Sequence, residues 1–129
     1  MFSFTNVISQ NLDIESVKQA YHKLRNQSQL PLEDSLVLVN NLYEIIYYHF
    51  YEGETELYNK FENEFNSFVK NFNHPLPKLR ILQVQDLHIN ESVEGIEHSR
   101  KMIEAFNDAI GADPENQELL ESKALRFQY

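Results

Sequence analysis

Glu94, Glu97, Glu104 and Asp108 are the residues whose type and spacing point most clearly to a task. On a helix they fall within about 80° of one another and form a line roughly 20 Å long at 1.5 Å rise per residue. A line of carboxylates can imitate a phosphate backbone or dock on a basic groove. Inhibitors of nucleic-acid enzymes and immunity proteins that plug basic toxin sites use this chemistry. The alternative is a solvated face on which Lys101 pairs with Glu97 and Glu104 or Glu94.

The five histidines raise the question of a metal. Glu94 and His98 are four apart, and His49 and Glu52 are three apart. A di-metal site in a helical bundle needs Glu-x-x-His units on two helices and further carboxylates, all pointing inward. Here His49 and Glu52 stand in the reverse order, while Glu94, His22 and His98 fall on outer faces by periodicity. No metal and no cofactor are expected. His49 ends an apolar helical face and reads as a core or interface histidine with a hydrogen-bonded ring. Gly53, Gly95 and Gly111 are isolated, so no phosphate-cradling loop exists. No nucleophile–histidine–acid arrangement stands out either, and the reading is non-catalytic. The chain has no cysteine, which excludes disulfides, thiol catalysis and cysteine-ligated zinc and agrees with a reducing, cytoplasmic setting.

Tyr43, Tyr47, Tyr48, Tyr51 and Tyr58 are close together in the chain. Tyrosine suits places dry at one end and wet at the other. Tyr43 and Tyr47 read as core. Tyr48 and Tyr51 lie off the main apolar face and read as the rim of an interface.

The net charge of −9 argues against direct contact with nucleic acid, which needs a lysine and arginine surface, and favours a basic protein partner. The charge is unevenly spread: from Asp86 to Glu121 ten acids stand against Arg100 and Lys101. At 129 residues with 42% apolar content, the chain is long enough for one domain with its own core. Leu32–Tyr51 has the length of a membrane span but carries Glu33, Asp34, Asn40, Asn41, Glu44 and His49, so no membrane association is expected. The N-terminus, a tail or lead-in to Leu12, shows no secretory pattern.

These residues must be positioned by helices. Ile14, Val17, Tyr21, Leu24 and Ser28 share one side of a first helix capped by Asp13, and Pro31 blocks its continuation. A second helix starts at Glu33 or Asp34 and runs to about Tyr51, where Gly53 stops it. It reads as apolar on two opposite sides: Leu32, Leu36, Val39, Tyr43, Ile46, Tyr47 and Phe50 on one, Leu38, Leu42, Ile45 and His49 on the other. Such a helix is either buried between neighbours or covered by a partner. A third helix, capped by Thr55, lines up Leu57, Tyr58, Phe61, Phe65, Phe68, Val69 and Phe72. Asn73–Pro77 is a break. Lys78–Ile89 reads as an extended connector or short strand, with a short buried helix as the alternative. A fourth helix, capped by Asn90 or Ser92, turns Ile96, Ser99, Met102, Ile103, Phe106, Ala109 and Ile110 inward and ends at Gly111. Asp113–Pro114–Glu115 starts a fifth, with Leu120, Ala124 and Phe127 inward. Phe106, Ala109 and Pro114 resemble in spacing the end of a tetratricopeptide repeat, but no second copy occurs and no family is assigned.

The expected fold is all-α: a single domain over residues 1–129 holding a bundle of four or five helices, with or without a short extended segment after Pro77. It comprises a three-helix part over 13–72 and a C-terminal part over 78–129. The expected function is a small acidic protein-binding module of the inhibitor, antitoxin or immunity type. Glu94, Glu97, Glu104 and Asp108 would steer a basic partner, with Tyr48, Tyr51, Leu38, Leu42 and Ile45 giving apolar contacts. The runner-up is a scaffold or adaptor subunit, with a homodimer formed through Leu38, Leu42 and Ile45.

Overall fold

A computed structural model describes residues 13–70, 72–88 and 93–127, the side chains of residues 93 and 94 excepted. Among the described residues there are six helices and no strand. They are α1 (Ile14–Arg25), α2 (Leu32–Tyr51), α3 (Thr55–Val69), α4 (Pro75–Asp86), α5 (Val93–Ala112) and α6 (Gln117–Arg126). The chain divides into two compact units, Met1–Phe72 and Asn73–Tyr129.

In the first unit α2 packs against both α1 and α3. Its fully buried stripe is Leu38, Val39, Leu42, Ile45, Ile46 and His49, one continuous arc at helical spacing. The expectation of two opposite faces is thereby corrected. Val39 and Ile46 join Leu38, Leu42 and Ile45 in the core, Tyr43, Tyr47 and Phe50 are half-buried, and Leu32 is 54% exposed. The three residues expected to form a homodimer surface are completely enclosed, because α1 and α3 supply the company that this face requires. From α1 come Ile14 and Tyr21, and from α3 Tyr58, Phe61, Phe65 and Val69, each large side chain contributing roughly 1.5–3 kcal/mol when fully buried.

The corner between α2 and α3 shows how one glycine sets a turn. Gly53 takes φ +73°, in the left-handed region that side chains disfavour. This lets the Gly53 amide donate to the Phe50 carbonyl at 3.2 Å and the Glu54 amide to the His49 carbonyl at 3.0 Å. The Glu54 carboxylate then accepts from His49 Nδ1 at 2.8 Å, so backbone and side chain link the same two residues. His49 is buried with its ring stacked on Phe61 (5.7 Å between centroids), and its Nε2 has no hydrogen-bond partner among the described residues. Thr55, expected as the cap of α3, is instead its first residue, after Glu54.

In the second unit α5 packs against α4 and α6. The segment read as a connector or strand is helix α4. His74 accepts from the Leu76 amide at 3.1 Å, and Pro75 occupies the first helical position, where its missing donor costs nothing. The proline pair therefore starts a helix as well as ending what precedes it. Apolar residues do not mark its helical period, because its inner face is partly polar. Leu76, Leu79, Arg80, Gln83 and Val84 are all buried, at spacings of three and four.

Two further registers differ from expectation. The inner face of α5 is His98, Met102, Ala105, Phe106 and Ala109, whereas Ile96 is 74% exposed and Ile103 is also exposed. Helix α6 begins not at Pro114 but at Gln117, where Asn116 Oδ1 caps the Leu119 amide at 3.2 Å. Leu119 is consequently the buried residue, while Leu120 and Ala124 are exposed.

Candidate partner-binding face

The site is built on α5, the long helix of the second unit. Two polar networks fix the helices around it. Arg80, only 2% exposed, donates from Nη1 to Gln83 Oε1 at 2.7 Å and from Nη2 to Glu118 Oε1 at 2.8 Å, tying α4 to the start of α6. Burial raises the Glu118 carboxyl, but the Arg80 charge, its hydrogen bond and Ser122 Oγ (2.7 Å) outweigh burial, and the group lies below its ordinary value. At the other end, Arg126 grips Asp86 with two hydrogen bonds, Nε to Oδ2 at 2.8 Å and Nη2 to Oδ1 at 3.0 Å, and also donates to Ser99 Oγ at 3.0 Å.

His98 belongs to this second network, contrary to its expected outward position. It is 7% exposed, and its Nε2 donates to the Leu82 carbonyl at 3.0 Å and lies 3.6 Å from Asp86 Oδ1. Asp86, His98 and Ser99 are close together without the geometry of a nucleophilic triad. One imidazole nitrogen faces both the aspartate and a carbonyl, while the serine hydroxyl is held by Arg126. Among the described residues no three metal-ligating side chains gather.

These networks hold α4 on one face of α5 and α6 on another, leaving a third face outward. Glu97, Glu104 and Asp108 are exposed there. Glu94 belongs to the same expected line, but its side chain lies outside the described residues. Among the described residues the basic residue that pairs with the line is Arg100, not Lys101: it pairs with Glu97 and donates from Nη1 to Glu104 Oε2 at 3.1 Å. Its hydrogen bond and charge hold the Glu97 carboxyl below the usual range, and Glu97 in turn raises the guanidinium. Asp108 makes no ion pair among the described residues.

Beside this face an open groove of about 620 Å³ runs between α4 and α5. It is lined by Pro75, Lys78 and Leu82 of α4 and by Lys101, Glu104, Ala105, Asn107, Asp108 and Gly111 of α5. Sequence periodicity missed it because its α4 wall belongs to the segment not read as helical. Gly111, on its α5 wall, lies in the last turn of that helix, one residue before its end, close to where the sequence places the stop.

The chain matches no protein-family model, and no curated protein or solved structure matches it.

The remaining expected contact residues lie in the first unit. Tyr51 is 71% exposed, with its ring 6.0 Å from that of Tyr47, which itself lies 4.5 Å from Tyr43. Tyr48 is half-buried against His49, and burial together with Glu52, Glu54 and Glu15 raises its phenol. Leu38, Leu42 and Ile45 are core residues, not surface. Among the described residues no helix is long and apolar enough to cross a membrane.

Proposed function

We propose that this chain is a non-catalytic protein-binding module of the inhibitor, antitoxin or immunity type, which covers a basic site on a partner with the outer face of α5. The observation that supports this reading is the exposure of Glu97, Glu104 and Asp108 along one side of a helix held on its other faces by α4 and α6. A rigid helix offers carboxylates at fixed spacing, which gives specificity and steering. Arg100 limits the negative field at Glu97 and Glu104, so a cationic group on the partner competes with an arginine already in place, whereas Asp108 is available to it directly. The net charge of −9 adds long-range attraction for a basic surface and speeds encounter at low salt. A homodimer through α2 is not part of the reading, since its three residues are enclosed.

The test is affinity capture of partners from the source cells, followed by binding measurements on each captured protein with wild type and with the variant Glu97→Gln/Glu104→Gln/Asp108→Asn. A basic protein that binds the variant at least about tenfold more weakly, a loss of about 1.4 kcal/mol, supports the reading. Equal affinity for both proteins overturns it.

A further inference from the structure

The structure takes away the apolar part of the expected interface. Leu38, Leu42 and Ile45, read from the sequence as its dry contacts, are enclosed in the first unit. Carboxylates steer a partner and select it, but the fully buried centre of an interface is apolar. The face that carries the acids has to supply apolar contacts of its own, and α5 has them.

Ile96 is 74% exposed, and Ile103, two turns further along, is 39% exposed. At helical spacing Ile96, Arg100, Ile103 and Asn107 fall within about 60° of one another, and all four are exposed. The core of the second unit is built without the two isoleucines, from Met102, Ala105, Phe106 and Ala109 on the other side of α5. Each isoleucine adjoins an acid: Glu97 follows Ile96, and Glu104 follows Ile103. Arg100 stands between the two rows. Its guanidinium is drawn to Glu97 and Glu104, so it presents its hydrocarbon stem to the isoleucine row. β-Branched residues are not favoured on an exposed helix surface, so the fold itself gains little from isoleucine at these positions.

The occupant of this row follows from the size of interfaces. A stable contact covers about 800 Å² on each partner, far more than a few carboxylates provide. A body seated on Glu97 and Glu104 over such an area also covers the neighbouring row on the same helix. We infer that Ile96 and Ile103 are the apolar centre of the contact with the basic partner, which carries a row of aliphatic or aromatic side chains alongside its cations. This deepens the proposed function and rests on it. The two rows have separate roles. The acids speed encounter, whereas the isoleucines slow dissociation by keeping water out of the docked face.

The experiment uses the full chain, labelled with ¹⁵N, and two synthetic helical peptides that share one row of lysines. In the first peptide the row beside the lysines is leucine, and in the second it is glutamine. The inference expects the leucine peptide to bind wild type at least about tenfold more tightly, through slower dissociation, with amide shifts at Ile96, Arg100 and Ile103. In Ile96→Ser/Ile103→Ser the two peptides should bind alike, with the salt dependence of association kept. Circular dichroism checks that this variant is folded, and Ile96→Ser alone, at the more exposed position, should lose part of the leucine preference. If both peptides bind wild type equally, or if the leucine preference survives in the double variant, the inference is overturned. Equal binding that is weakened by Glu97→Gln/Glu104→Gln/Asp108→Asn leaves the acidic-face reading standing. Binding that this triple variant leaves unchanged overturns both.

Discussion

Among the described residues each of the two units holds three helices, but the helices are held together by different chemistry. In α1–α3 the interior is hydrocarbon and aromatic, with Tyr21, Phe61, Phe65, Leu38, Leu42, Ile45 and Ile46 buried. The polar groups at its margin are mostly tyrosine hydroxyls and carboxylates. Tyr21 donates to Glu64 and Tyr58 to Glu62. In α4–α6 fewer large apolar side chains are buried, and the helices are tied by charged groups, Arg80 with Glu118 and Arg126 with Asp86. The difference teaches that similar helix counts conceal different sensitivities. Apolar burial has no charge to titrate or to screen, whereas ion pairs between α4 and α6 respond to pH and are weakened by ionic screening.

The comparison can be broken most directly in the first unit. Phe65→Ala should cost about 3–5 kcal/mol in urea unfolding, because it removes a fully buried ring and leaves a cavity. Arg80→Met in the second unit should cost less, about 1–3 kcal/mol, since Glu118 is half-exposed and regains water when its partner goes. Hydrogen exchange should then show the loss concentrated in α4 and α6. An Arg80→Met protein as stable as wild type would mean that the ion pairs are incidental to the second unit.

The titratable groups sharpen the contrast from opposite ends of the pH scale. Glu118 has its folded value depressed, so its stabilisation is present above the ordinary carboxylate range, near 4.3, and is lost as pH falls through and below it. Tyr21 is pushed up to about 12 by burial and then by Glu64, so its contribution is present below the ordinary phenol value and is lost as pH rises from there towards 12. Acid should therefore loosen the α4–α6 contacts first, and base the α1–α3 contacts, as monitored by amide exchange or by tyrosine absorbance. The smallest effect is expected at the surface. Glu97→Gln should leave the melting temperature unchanged, because the Glu97–Arg100 pair is exposed to solvent.

How much of this was legible in the sequence depends on how polar each inner face is. The helices α1, α2 and α3 could be read because apolar residues mark their period, and Phe61 and Phe65 lie where spacing puts them. The α4 helix could not, since Arg80 and Gln83 occupy inner positions and a wheel cannot tell a buried arginine from an exposed one. The same limit hid His98, which is buried only because the Leu82 carbonyl and Asp86 are there to receive it. On α5 the isoleucines drew the inner face towards Ile96 and Ile103, while smaller residues, Ala105 and Ala109, actually carry it. The acidic face was legible because exposed carboxylates need no partner to define their position. Its basic clasp was assigned to Lys101, although Arg100, three residues from Glu97 and four from Glu104, reaches both. The groove needs α4 and could not be seen without it.

The account depends on the outer face of α5 drawing a cationic partner by charge. The most direct measurement is the association rate constant of a captured basic partner with the intact chain, from about 50 mM to about 500 mM salt, for wild type and for Glu97→Gln/Glu104→Gln/Asp108→Asn. The account predicts a rate that falls at least about tenfold across this range for wild type and far less for the neutralised variant. A wild-type rate that stays flat with salt, or one whose salt dependence is unaltered by removing the three carboxylates, would contradict it.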